Sequence, residues 1–213
     1  MDVMQRRREL MGMQTGGLPG AYRRVEYLES TGTQYFWTDV NIQDGLTVDS
    51  VQMRPDIVQD SYLFGGIVSY NGNTYTSCFN GTYRYSVQGS YPKSYYNAGG
   101  VFAPNVKLNL VTTHKNGIIT VYVDGSLIKN TTTGTSIIDS NEKCVCFGGR
   151  RSDGTVFELY SGRVYSLKVS KDNTLLSNFV PCVRKSDNKP GMYDTVSHTF
   201  YTNAGTGEFI VPN

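Results

Sequence analysis

Two turn dipeptides, Asn116-Gly117 and Asp124-Gly125, divide residues 107–128 into runs in which apolar and polar side chains alternate. Asn, Asp and Gly accept the positive φ angles that both central positions of a type I′ turn require, so each dipeptide predicts a tight β-hairpin. The register can be checked from the sequence. A two-residue loop at 116–117 pairs His114 with Ile119, Thr112 with Val121 and Leu110 with Val123 on one face. The other face then holds Val111 against Tyr122 and Thr113 against Thr120. A slip of one residue would turn the apolar set to the wrong side, so turn chemistry and pattern specify one pairing. The second turn extends the meander and is expected to set Ile128 beside Val121 on the buried side.

Further short strand patterns fall at 24–28, 33–40, 46–54, 61–67, 74–79, 83–88, 143–148, 156–160, 163–170, 175–183, 191–194 and 198–202, punctuated by Gly, Asn, Asp and Pro. This spacing, without interior helical periodicity, predicts an all-β antiparallel sandwich, with residues 21–213 as one domain. Cys144-Val-Cys-Phe147 is apolar on both faces and belongs centrally, beneath other strands or loops. Gly162 opens a strand expected to turn Tyr165, Leu167 and Val169 one way and Ser166 and Lys168 the other. Pro181 cannot donate to a ladder and suits a sheet edge or a strand end.

Residues 1–20 read as an arm and linker. Asp2 can cap a short amphipathic helix on which Val3, Leu10 and Met11 share a side, with Arg6, Arg7 and Arg8 off that stripe. So short a helix is marginal alone in water, so it would order only against a partner subunit or a neighbouring copy. No apolar segment follows the arginines, so no secretory leader is expected and synthesis in a cytoplasm is. No run is long enough for a membrane span. A net charge of +2 leaves no basic footprint for nucleic acid. The four cysteines, Cys78, Cys144, Cys146 and Cys182, lack zinc-ligand spacing. Cys144 and Cys146 lie on one strand face roughly 6.5–7 Å apart, poor disulfide geometry. Buried free thiols are expected, with 78–182 and 144–182 bridges left open.

Both ends of the chain carry specific motifs. Leu18-Pro19 and Val25-Glu-Tyr-Leu-Glu-Ser-Thr-Gly-Thr-Gln-Tyr35 open it. Gly162-Arg-Val-Tyr-Ser-Leu-Lys-Val169, Asn178-Phe-Val-Pro-Cys-Val-Arg-Lys-Ser-Asp187, Gly191-Met-Tyr-Asp194 and Phe200-Tyr-Thr-Asn-Ala-Gly205 close it. Over residues 18–210 the chain resembles the laminin-G-like, concanavalin-A-like domains of phage, prophage and gut-bacterial proteins. The resemblance implies a jelly roll used for adhesion, glycan binding or particle architecture. The expectation is a non-enzymatic, virion-associated structural or adhesion protein, its arm docked on particle subunits and its sandwich displayed outward. The alternative is a glycan-binding lectin module, and a glycoside hydrolase is third.

A hydrolase of this fold needs two carboxylates about 5–9.5 Å apart. Glu26 and Glu29 have odd spacing and are expected on opposite strand faces, while Glu142, Glu158 and Glu208 stand alone. His114 reads as inward-facing beside a turn and His198 as part of the terminal hairpin. No cofactor is expected, with calcium left open. Calcium, which many laminin-G-like domains bind, would need clustered oxygen ligands. Asp124 and Asp153 belong to turns, however, and Asp39, Asp44 and Asp49 form no compact loop. The preferred contact surface is the stretch 70–96, with Tyr70, Tyr75, Tyr83, Tyr85, Tyr95 and Tyr96 among Asn73 and Asn80. Tyrosine offers a flat apolar body with a polar tip, and Asn offers paired donors and acceptors. Together they suit a sugar ring or a protein surface.

Overall fold

The computed structural model describes residues 17–54, 61–70, 73–80, 84–87, 94–97, 103–132 and 139–212, with backbone alone between 67 and 97. Val3, Arg6, Arg7, Arg8, Leu10 and Met11, the proposed anchor, lie outside the described residues. Every regular element described is a strand. The chain opens with β1 (Tyr22–Arg24), β2 (Leu28–Thr31), β3 (Phe36–Asn41) and β4 (Leu46–Met53). It continues through β5 (Tyr62–Tyr70), β6 (Asn73–Asn80), β7 (Arg84–Val87) and β8 (Ser94–Asn97). The meander β9 (Leu108–Lys115), β10 (Ile118–Val123) and β11 (Ser126–Thr132) follows. After β12 (Lys143–Cys146), β13 (Gly149–Arg150) and β14 (Val156–Phe157), the chain closes with β15 (Ser161–Lys171), β16 (Thr174–Arg184), β17 (Lys189–Asp194) and β18 (Thr199–Thr202).

Two sheets form the sandwich. The larger runs β11-β10-β9-β4-β15-β16-β17-β18, and the smaller β14-β13-β5-β6-β7-β8, with β12 between β3 and β5. Pairing is antiparallel apart from the Arg150–Gly66 contact of β13 with β5 and the isolated Tyr62–Leu159 bridge. The hairpin has the expected register, from His114 opposite Ile119 to Leu110 opposite Val123. Asn116, Gly117, Asp124 and Gly125 have φ of 51°, 70°, 47° and 78°, the positive values of type I′ turns. One detail differs in β11. Leu127 pairs with Tyr122 but Lys129 pairs with Val121, so Ile128 is the extra residue of a bulge. It still packs against the core from there. As expected, Cys144, Val145, Cys146 and Phe147 are all fully buried.

The single strand expected at 24–28 is instead two short ones, and the reason lies in the larger sheet. β15 and β16 pair from Lys171–Thr174 as far as Leu167–Phe179 and then separate. The opening segment fills the gap: β2 pairs with β15 over Ser161–Val164, and β1 pairs with β16 over Cys182–Arg184. Pro181 therefore sits inside β16 and not at an edge. Its carbonyl accepts the Val25 N–H at 3.1 Å. A strand residue's N and O point to the same side, so the proline leaves the Val25–Pro181 pair with one hydrogen bond in place of two. Gly162 marks the other side of the split. Its φ is +143°, and a Cβ would stand 2.7 Å from the Met53 carbonyl oxygen. Neither feature tolerates a side chain.

An aromatic cluster joins the sheets. Phe36 stacks on Tyr201 at 5.3 Å and meets Phe179, Phe147 and Phe209, the last returning from the C-terminal segment. Burial and a hydrogen bond from its hydroxyl to Asp39 push the Tyr201 pKa up to about 12. The inward row of β4 turns polar at Ser50 and Gln52, and these are satisfied internally. Tyr160 donates to Gln52 at 2.9 Å, and Gln52 donates to Ser50 at 3.0 Å. Buried Arg54 lies over the Tyr160 ring and donates to Ser61 and to the Ser161 carbonyl. Buried polar groups left unpaired would cost about 1–3 kcal/mol each, so this chain of partners is what allows them inside.

Cys144, Cys146 and Cys182 are buried free thiols, which leaves neither bridge to Cys182. Burial raises all three, Cys182 to about 12. At pH 8 iodoacetamide should leave these three unmodified in the native protein, and in denaturant intact mass should report four alkylated cysteines. Modification of fewer than four in denaturant would show a disulfide. Val121 is wholly buried. Val121→Ala should cost roughly 2 kcal/mol in chemical denaturation through two lost methyls and the void left behind.

Candidate functional site

The split between β15 and β16 also shapes the outer face of the larger sheet. Val164 pairs with Gln52 but Ser166 pairs with Val51, so Tyr165 is the extra residue of a β-bulge. Val164, Leu167 and Val169 then face inward, and Arg163, Tyr165, Ser166 and Lys168 outward. Tyr165 therefore does not share a face with Leu167 and Val169, because strict alternation fails at a bulge.

Once turned outward, Tyr165 becomes the centre of a row. Tyr27, carried across the split between β1 and β2, meets it edge-on with ring centroids 5.6 Å apart. The Lys107 ammonium lies 3.8 Å above the Tyr165 ring and the Arg163 guanidinium 4.6 Å above the Tyr27 ring. Each cation also meets a carboxylate: Lys107 lies 3.9 Å from Glu26, and Arg163 donates to Glu29 at 2.6 Å. The hydrogen bond from Arg163 to Glu29 strengthens the guanidinium's hold on its proton, and partial burial raises the Tyr165 phenol. Glu26 and Glu29 thus flank one surface and do not occupy opposite strand faces, because no continuous strand runs between them.

This row borders an open cleft of about 700 Å³ lined by Arg24, Val25, Glu26, Val51, Lys107, Tyr165 and Ser166. Its volume lies in the range of small-molecule sites. The cleft combines aromatic surface, both signs of charge and a serine. Such a set can hold a flat ring carrying hydroxyl groups, by contact with the rings and hydrogen bonds from the rim. Val51 and Val25 add an apolar floor.

Of the tyrosine-rich stretch, Tyr83 lies outside the described residues. For Tyr70, Tyr75, Tyr85, Tyr95, Tyr96, Asn73 and Asn80 the backbone is placed: Tyr70 opposite Asn73, Val68 opposite Tyr75, and Tyr62 opposite Asn80. Tyr85 lies opposite Tyr96, and Ser86 opposite Tyr95. His114 is buried within the sandwich, and His198 occupies an exposed turn with φ of 58°. The aspartates considered for calcium are engaged separately, Asp39 by Tyr201, Asp44 by the Asn116 N–H and Asp49 by Asn109. Among the described residues no three acidic, His or Cys side chains come together.

No protein-family model matches the chain, and no curated protein matches it in sequence. Solved structures do match in fold. A proposed carbohydrate-binding protein of Bacteroides ovatus aligns with a TM-score of 0.58 and 12% identity, over 90% of this chain and 60% of that one. Domain 4 of AbnA, a GH43 extracellular arabinanase of Geobacillus stearothermophilus solved with arabinotriose, aligns with a TM-score of 0.49 and 14% identity, over 71% and 76% of the two chains. A heptameric SAP-like pentraxin of Limulus polyphemus gives 0.48 and 14%, over 68% and 76%. The likeness is one of fold alone, an antiparallel β-sandwich.

The ion pairs bordering the cleft are half-exposed and should hold its shape more than its stability. A double-mutant cycle on Arg163→Met and Glu29→Gln should give a coupling energy of about 1 kcal/mol or less, falling at high salt. Coupling that salt leaves unchanged would place the pair in a drier setting than the structure gives it.

Proposed function

We propose that the chain is a non-catalytic carbohydrate-binding module that takes an oligosaccharide in the outer-face cleft. The observation that carries this reading is the bulge that turns Tyr165 outward against Tyr27, above an apolar floor and within a rim of Arg24, Glu26, Lys107 and Ser166. Sugar rings have apolar C–H faces that stack on aromatic side chains, and hydroxyls that both donate and accept. A rim with both charge signs serves them better than a single-sign patch. The fold shared with the proposed carbohydrate-binding protein of B. ovatus supports the reading.

Catalysis is not part of the proposal. Glu26, which lines the cleft, is engaged with Lys107, and Glu29 with Arg163. The particle-anchoring reading depends on the N-terminal arm, whereas the glycan reading rests on side chains placed in the sandwich.

A glycan array should yield saturable binding to at least one oligosaccharide class, followed by calorimetry on the strongest binder. Tyr165→Ala should weaken that binding at least tenfold, about 1.4 kcal/mol. The folded protein should remain cooperative in denaturation. Unchanged affinity in a folded Tyr165→Ala protein would remove the cleft from the account, and no binding across neutral and acidic glycans would remove the function.

A further inference from the structure

The chain has one tryptophan. It is Trp37, on the face of β3 opposite the buried Phe36, Thr38 and Val40, and it is 37% exposed. Part of the ring's burial is structural, because its cross-strand partner Val145 is fully covered. The rest faces outward beside Tyr35, itself partly buried against the core, and Asp39. Tyr35 meets it edge-on, with ring centroids 6.3 Å apart at an interplanar angle of 85°. Asp39, two residues further along the strand, is exposed and fixed from two sides. Its carboxylate accepts the Tyr201 hydroxyl at 2.7 Å, and its backbone carbonyl accepts the Lys143 ammonium at 2.8 Å. Tyr35 is anchored in turn: its N–H donates to Asn203 at 3.1 Å, and Gly205 packs against its ring.

Strand geometry sets these groups in a line. Alternate residues lie about 6.6 Å apart, so Tyr35, Trp37 and Asp39 form a row about 13 Å long on one face. The row presents an aromatic face at its centre, a held carboxylate with a nearby ammonium at one end and a phenol ring at the other. Opposite charges beside the ring leave little net field, which disfavours a strongly charged ligand. A linear chain of neutral sugars fits this chemistry, with one ring on Trp37 and hydroxyls of the next against Asp39 and Lys143.

We infer that the Tyr35–Trp37–Asp39 row is a second glycan contact, on the smaller sheet and separate from the Tyr165 cleft on the larger one. The inference rests on the carbohydrate reading of the protein but not on the cleft. Two contacts on separate sheets would let one molecule hold two stretches of polysaccharide, raising avidity without a second domain.

As the sole tryptophan, Trp37 reports on its own site, and no substitution there is needed. Neutral linear hexasaccharides (cello-, xylo-, manno- and arabino-hexaose) are titrated into the wild type and into Tyr165→Ala, recording tryptophan emission and acrylamide quenching, with calorimetry alongside. A saturable emission change with at least twofold protection from acrylamide, in both proteins and for the same sugar, supports the second contact. Calorimetric binding that Tyr165→Ala removes, with emission and quenching unmoved, overturns it while leaving the cleft intact. An emission change that vanishes in Tyr165→Ala overturns it as an independent site. Absence of both heat and emission change for all four sugars overturns it, and the glycan array then decides whether the cleft reading falls with it.

Discussion

The parting of β15 from β16 is the constraint around which the described structure is arranged. Beyond Leu167–Phe179 the two strands no longer reach one another, and an open sheet would leave two facing rows of backbone donors and acceptors. The opening segment meets both rows at once, β2 on one side and β1 on the other. Pro181 removes a donor where the ladder is interrupted, and Gly162 admits the Met53 carbonyl where a side chain would collide. The first strands of the domain are therefore completed by its last ones, and the Glu29–Ile210 bridge ties in the C-terminal segment as well.

The same wedge connects fold to surface. Because the chain must cross from β16 to β15 between Arg24 and Leu28, Val25 is covered beneath the cleft while Glu26 and Tyr27 remain outside. The bulge at Tyr165 then supplies the second ring, and Lys107 and Arg163 cap the pair. None of these side chains contributes much to the core. Varying them costs little stability and leaves the sandwich intact. The inner side is held differently, by the Phe36 aromatic cluster and the Tyr160–Gln52–Ser50 chain, where a change of volume or polarity is felt directly.

What was legible in the sequence follows a physical division. The β9–β10 hairpin was legible to the residue, because period-two alternation and type I′ turn chemistry each fix the register independently. Cys144 to Phe147 was legible as a central strand from its apolar residues on both faces. The bulges at Ile128 and Tyr165 were not, since one inserted residue leaves no mark on composition and reverses the face of its neighbours. Glu26 and Glu29 were misplaced for the same reason, by continuing a strand through a crossing. Pro181 reads as a sheet-edge or strand-end residue because sequence shows a missing donor but not which neighbour is absent. Trp37 carried a signal that went unused: it sits at an outward position in an alternating strand, where a large aromatic calls for a reason.

The central claim is that glycan recognition belongs to the outer face of the larger sheet at this split. Backbone amide shift mapping by NMR, with an oligosaccharide selected on an array, tests it residue by residue. The account predicts saturable shifts concentrated at 24–27, 107 and 163–166, with the interior amides of β9 and β10 unmoved. Shifts confined to the tyrosine-rich strands between 70 and 97, with none at the split, would contradict it.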